Sequence, residues 1–264
     1  MIVRPLEDGS LVLITQTDHA ALSGLFAAGW DARGFGGFAR RESLLRAAAC
    51  HDMSWSRWET APTWDTERGL VPDFMHVPVD EAMLADNQWA VDWLDGFDPY
   101  AALLVSRHRT GLWRARYGAL TDPAPAPVHP MPPATEAFIA RSHAWQEERL
   151  RGLDRRVFAV DYQLLQIFDI LSLYLCTRAP VKRRIGPAPL SYEGDGTDGV
   201  MLELEPVETH EVRVSPFPFR GDRLEVGVVQ RHLPTRDYPD EAAFREAYRS
   251  AVPRVESFTF LRAG

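Results

Sequence analysis

The stretch LLQIFDILSLYL (residues 164–175) decides how this chain reads. On a helical wheel it is apolar on nearly every side rather than along one stripe, which marks a helix at the centre of a fold. It is too short for the roughly 18–20 apolar residues of a membrane span, and it carries Asp169. An ionised carboxylate on a central helix is costly unless a cation or a metal answers it. The question passed to the rest of the chain is what meets Asp169.

Working outward, the helical pattern around this run extends over 154–177. Earlier helical patterns cover 17–30, 41–52, 80–94, 98–117 and 134–152, with Asp98 and Pro99 opening the fourth. GFGGF (34–38) interrupts the chain, 60–80 reads as an ordered loop with three prolines, and TDPAPAPVHPMPP (121–133) cannot be helical. MIVRPLEDGSLVLITQ (1–16) reads as two short strands around a turn. VKRRIG (181–186) reads as a solvated basic loop, and PAPLSYEGDGTDG (187–199) as a further loop. VMLELEPVETHEVRVSPFPF (200–219) and RLEVGVVQRHL (223–233) alternate as strands do, and PDEAAFREAYRSAV (239–252) is a short amphipathic helix. The expected architecture is a single domain over 1–264, mainly α. It has a helical core over about 17–177, and a strand-rich part over about 198–264 that joins strands 1–16 in a small antiparallel sheet.

The chain of 264 residues has a formal net charge of −8, which argues against a general nucleic-acid or anionic-membrane binder. A small-molecule substrate suits it better, and a homodimer is compatible with it. Its two cysteines, Cys50 and Cys176, make no disulfide framework and read as buried thiols in a reducing cytoplasm. MIVRPLEDGS has no secretory h-region.

The residues that can answer Asp169 lie on the inward faces of other helices. LLRAAACHDMSWSRWE (44–59) ends an apolar face on adjacent His51 and Asp52. His19 shares a face with Leu22 and Phe26, and His108 continues the line Ala101, Leu104, Val105 and Leu112. Each of these has an ordinary reading as a hydrogen-bonded core residue, and Asp169 has one as an ion-pair partner of Arg141 or Arg155. Four helices that each point a His or Asp inward are harder to explain separately. Imidazole and carboxylate are a ligand set for zinc, manganese, iron, nickel or magnesium, one ion or two, and no thiolate is offered at a usable spacing. Asp161, on the same helix, is the rival of Asp169 for the last ligand.

The order His19, His51-Asp52, His108, Asp169 resembles the HD-domain superfamily of metal-dependent phosphohydrolases. TQTDHAALSG (15–24), HDMSWSRWETAP (51–62), LLVSRHRTGLW (103–113), QIFDILSLYLC (166–176) and PFPF (216–219) more closely resemble a bacterial family of proteins of unknown function (DUF3891-like) over nearly the whole chain. Ser54 stands where that family carries Gly before the first Trp, a departure that touches the local turn and not the ligands. The superfamily likeness implies an HD-like helical bundle and a metal-dependent hydrolase acting on a small phosphate ester, nucleotide or diester. HD-like di-iron oxygenases and a non-catalytic module on the same fold are the alternatives. In such a site Asp52 bridges metals or orients water, and Glu59, eight residues after His51, is a general acid or base. Trp55 forms an apolar wall, with Trp58 and Trp64 read as wall or packing. Arg107 or Arg109 holds a phosphate, Arg107 being the choice.

Overall fold

The apolar run lies in a helix, Arg155–Cys176 (α7), in the computed structural model, which describes residues 1–113, 131–192 and 199–263. Asp154 starts the helix by accepting the Arg156 and Val157 amides. From Phe158 to Cys176 almost every side chain is buried, because α7 is wrapped by other elements on all sides. Those elements are the helices Gln16–Gly29 (α1), Arg41–Cys50 (α2) and Pro99–Trp113 (α5), and the strand Arg183–Pro189 (β3). By length and composition α7 could cross a membrane, but 78% of its apolar window is buried inside the fold, as in a core helix. The remaining helices are Ser56–Thr60 (α3), which follows a 3-10 turn at Met53–Trp55, then Glu81–Asp95 (α4), Pro133–Leu150 (α6) and Glu241–Ser250 (α8). The expected end of the fourth helix (114–117) lies outside the described residues, as do 121–130 of the Pro-rich connection and 193–198 of the later loop.

The other strands are Ile2–Pro5 (β1), Leu11–Ile14 (β2), Gly199–Glu208 (β4), Glu211–Ser215 (β5), Arg223–Leu233 (β6) and Arg254–Arg262 (β7). They form one seven-stranded sheet in the order β1-β2-β6-β7-β5-β4-β3. The terminal strands do meet, β2 pairing with β6, but the expected mainly α, all-helical bundle with a small antiparallel sheet is overturned. About 47% of the described residues are helix and 22% strand, the sheet is curled into a half-barrel, and β5 pairs with β7 in parallel. The fold is α/β. Part of the difference is β3, which begins inside the run read as a basic loop. Its register against β4 shifts between Ile185 and Ala188, so its two inward side chains do not alternate as a simple strand's would.

The sheet carries apolar residues on both faces. Val12 and Ile14 of β2 join the main core with Val226 and Val228 of β6 and Phe258 and Phe260 of β7. Leu11 and Leu13 point the other way, into a second core with Leu233, Trp64, Val71, Phe244 and Tyr248. A strand buried on both faces loses the polar alternation of an exposed one.

Two glycines set how closely the helices around α7 approach. A Cβ on Gly24 of α1 would lie 2.9 Å from the Ala49 Cβ of α2, and one on Gly111 of α5 would collide with the Tyr162 hydroxyl of α7. Gly24→Ala, which in an exposed helix stabilises by about 1 kcal/mol, is therefore expected to destabilise by about 1–3 kcal/mol through overpacking. Ala49→Gly in the same chain restores part of the loss. Urea unfolding of the two variants checks this, and a Gly24→Ala protein as stable as the parent would contradict the close approach.

Candidate metal centre

The close approach of α1 and α2 brings His19 against His51. Thr15 caps α1 by accepting the Asp18 amide, which places His19 one turn inside the helix. His51 is the residue at which α2 ends, and Asp52 has already left helical geometry to lead into the 3-10 turn. His108 comes from α5 and Asp169 from α7. All five are between 1% and 5% exposed, so their charges meet one another rather than water.

The ring orientations are fixed from behind. Ser172 donates to the His19 carbonyl at 2.8 Å, so its oxygen is left to accept His19 Nδ1–H at 2.6 Å. His51 Nδ1–H donates to the Ala48 carbonyl at 2.9 Å. With both Nδ1 atoms protonated, the neutral rings turn the Nε2 lone pairs inward. His19 Nε2 then lies 3.2 Å from His51 Nε2 and 2.7 Å from Asp169 Oδ1, which is 3.4 Å from His51 Nε2. Three lone-pair atoms this close repel one another unless a proton or a metal cation sits among them. Ligand atoms held about 2.0–2.2 Å from a zinc-like cation are themselves about 3–3.5 Å apart, which is near this spacing. A second group, His51, Asp52 and His108, shares His51, with Asp52 at 3.6 Å from His51 Nε2 and 3.8 Å from His108 Nε2. These buried clusters could hold a metal ion.

Electrostatics follow the same geometry. Burial pulls the His51 pKa down, but Asp52 and Asp169 outweigh it and raise it to about 9. Burial and the neighbouring His51 lower His108 to about 3, so it stays neutral. For Asp169, burial opposes ionisation, and His51 and His19 hold the carboxyl well below the usual carboxylate range. Asp52 is lowered likewise, against burial, by His51 and Arg109.

The structure thus brings His19, His51, Asp52, His108 and Asp169 together. Asp161 lies elsewhere, accepting the Tyr100 hydroxyl at 2.8 Å and the Tyr192 hydroxyl at 2.9 Å. Arg155 pairs with Glu147, leaving Asp169 to the histidines. Glu59 does not join the cluster. Its buried carboxylate accepts the Gln16 amide at the start of α1 and lies 3.4 Å from the Met1 ammonium, so it anchors the helix that carries His19. Burial raises its pKa, with that ammonium and the amides opposing. Trp55 is buried, packs edge-on to Trp58 and lines a cavity with it, whereas Trp64 belongs to the second core. Arg107 bonds Gln146, and it is Arg109 that reaches the site, its Nη2 donating to Asp52 Oδ1 at 2.6 Å. Periodicity could not choose between these two arginines, because α5 is buried on nearly every side from Tyr100 to Gly111.

No curated protein and no solved structure matches the chain significantly. The family model described as "Protein of unknown function (DUF3891)" matches residues 1–235, the whole of the His/Asp cluster included, and the chain belongs to that family.

Proposed function

We propose that this protein is a metal-dependent hydrolase that binds one or two divalent cations at the His19–His51–Asp52–His108–Asp169 cluster and cleaves a small phosphate ester. The observation that carries the reading is the convergence of His19 Nε2, His51 Nε2 and Asp169 Oδ1, with both rings locked from behind so that their lone pairs meet. The order of these residues resembles that of the HD-domain phosphohydrolases, which is the second support. A divalent cation held there supplies Lewis acidity and a water of lowered pKa. His19, His51 and Asp169 would hold it together. His51 has a single inward nitrogen, so a second cation would draw chiefly on Asp52 and His108. Asp52, held by Arg109, would accept a proton from the attacking water. The overall reaction converts a phosphate ester and water into an alcohol and inorganic phosphate, with the P–O bond to the alcohol broken and the water oxygen bound to phosphorus.

Elemental analysis of protein purified without chelator or affinity-tag metal tests this reading. The parent is expected to hold about one or two equivalents of metal, and His51→Ala and Asp52→Ala to lose most of it. Zinc, manganese or magnesium supports the hydrolase. Iron with a visible absorbance band would move the reading to a di-iron oxygenase. A parent that takes up no metal after reconstitution would leave the cluster a buried polar network in a non-catalytic module.

A further inference from the structure

A cavity of about 200 Å³ opens beside the cluster, between α4, α5 and α6, with His51 in its wall. Among the described residues, its charged lining residues besides His51 are Arg109 and Arg141, and no carboxylate lines it. That is a marked local departure in a chain with 37 acidic and 29 basic residues. The adjoining cavity, of about 300 Å³, meets the first at Ser54 but carries Asp80 and Asp86, which repel an anion.

Arg109 supplies a second, independent observation. It is 9% exposed, it spends Nη2 on Asp52, and its Nε–H is buried without a hydrogen-bond partner among the described residues. A buried donor left unmade is costly. Two faces of a guanidinium can be used at once, so Arg109 can keep Asp52 in place while offering Nε–H to a ligand oxygen.

We propose that this cavity is the phosphate subsite of the enzyme, with Arg109 and Arg141 as its anion-binding residues, and that the substrate is a small phosphate monoester. The inference rests on the metal-dependent reading of the same cluster and narrows it. At about 200 Å³ the cavity falls below the roughly 300–1,000 Å³ of sites that take drug-sized ligands, so it suits a phosphate with a small ester group better than a nucleotide. Val91 and Phe138 give the ester group a short apolar wall. The dianionic phosphate is drawn to Arg109 and Arg141, the two arginines of the lining.

Calorimetric titration of inorganic phosphate into the full chain, with and without its metal, tests the subsite. Charge-assisted hydrogen bonds of this kind make Arg109→Gln weaken phosphate binding roughly 10- to 100-fold, with Arg109→Lys intermediate. Arg141→Gln, at an exposed position that does not touch Asp52, weakens it several-fold with metal content unchanged. Arg107→Gln leaves it as in the parent. Adenosine 5′-monophosphate binds more weakly than inorganic phosphate. Metal retained in all variants, with phosphate affinity indifferent to Arg109 and Arg141, overturns the subsite and leaves the metal reading standing. Nucleotide binding as tight as phosphate overturns the size assignment. Arginine-dependent phosphate binding in a parent that takes no metal keeps the subsite and removes the metal reading.

Discussion

Asp169→Asn is expected to lower the unfolding free energy of the metal-free protein by about 3 kcal/mol, as expected when one partner of a buried ion pair is removed. The charge left behind is on His51, whose pKa stands at about 9 because Asp52 and Asp169 overcome the effect of burial. A base whose folded pKa is raised contributes stability that is fully present below its ordinary value of 6.5 and is lost as pH rises to the folded value. The metal-free parent should therefore lose stability between pH 6.5 and 9, and Asp169→Asn should flatten that slope. His108, held neutral, acts in the opposite sense below pH 6.5 and leaves this window clear. Metal-loaded parent should show no such slope, because the bound imidazole has already given up its proton. Thermal unfolding across this range, in chelator and in metal, decides the matter. A flat profile for the metal-free parent would show that no proton is held among the three facing atoms.

The second large effect concerns the ring cluster at the end of α1. Trp30 is 1% exposed, with the rings of Phe35 and Phe168 at 5.3 Å and that of Phe219 at 6.0 Å. It joins α1 to the central helix and, through a backbone bridge to Phe219, to the PFPF segment. Trp30→Ala is expected to cost about 4 kcal/mol, the transfer term plus the cavity left in a core that cannot close around it. Trp30→Phe is expected to cost under about 1.5 kcal/mol. The indole Nε1 has no hydrogen-bond partner among the described residues, so the smaller ring gives up volume and no bond. Denaturant unfolding of the pair separates the two, and equal losses would mean that the indole nitrogen matters more than the packing.

The helices and the inward-facing His and Asp residues were legible in the sequence for one reason. His19, His51, Asp52, His108 and Asp169 each interrupt an apolar face, and an interruption is visible wherever the rest of the face is regular. The sheet was less legible. β2 is buried on both sides, so its run of apolar residues carries no alternation, and β3 hides behind arginines and a register shift. The parallel pairing of β5 with β7 depends on a chain crossing that local pattern does not record. Glu59 was misplaced because its partners are backbone amides of α1, which have no signature in the residue types. Arg109 was passed over for Arg107 because a helix surrounded by neighbours offers no exposed side against which to judge direction.

Ser172 ties the His19 ring to the same helix that supplies Asp169, and the rest of the cluster comes from α5 and the end of α2. Any cation seated among them acts as a staple across the longest loops of the chain, where closing the ends removes the most freedom from the unfolded state. Loading the site would then tighten the first and last helices of the core together, and amide exchange in α1 and α7 would slow in step even though the two are far apart in sequence.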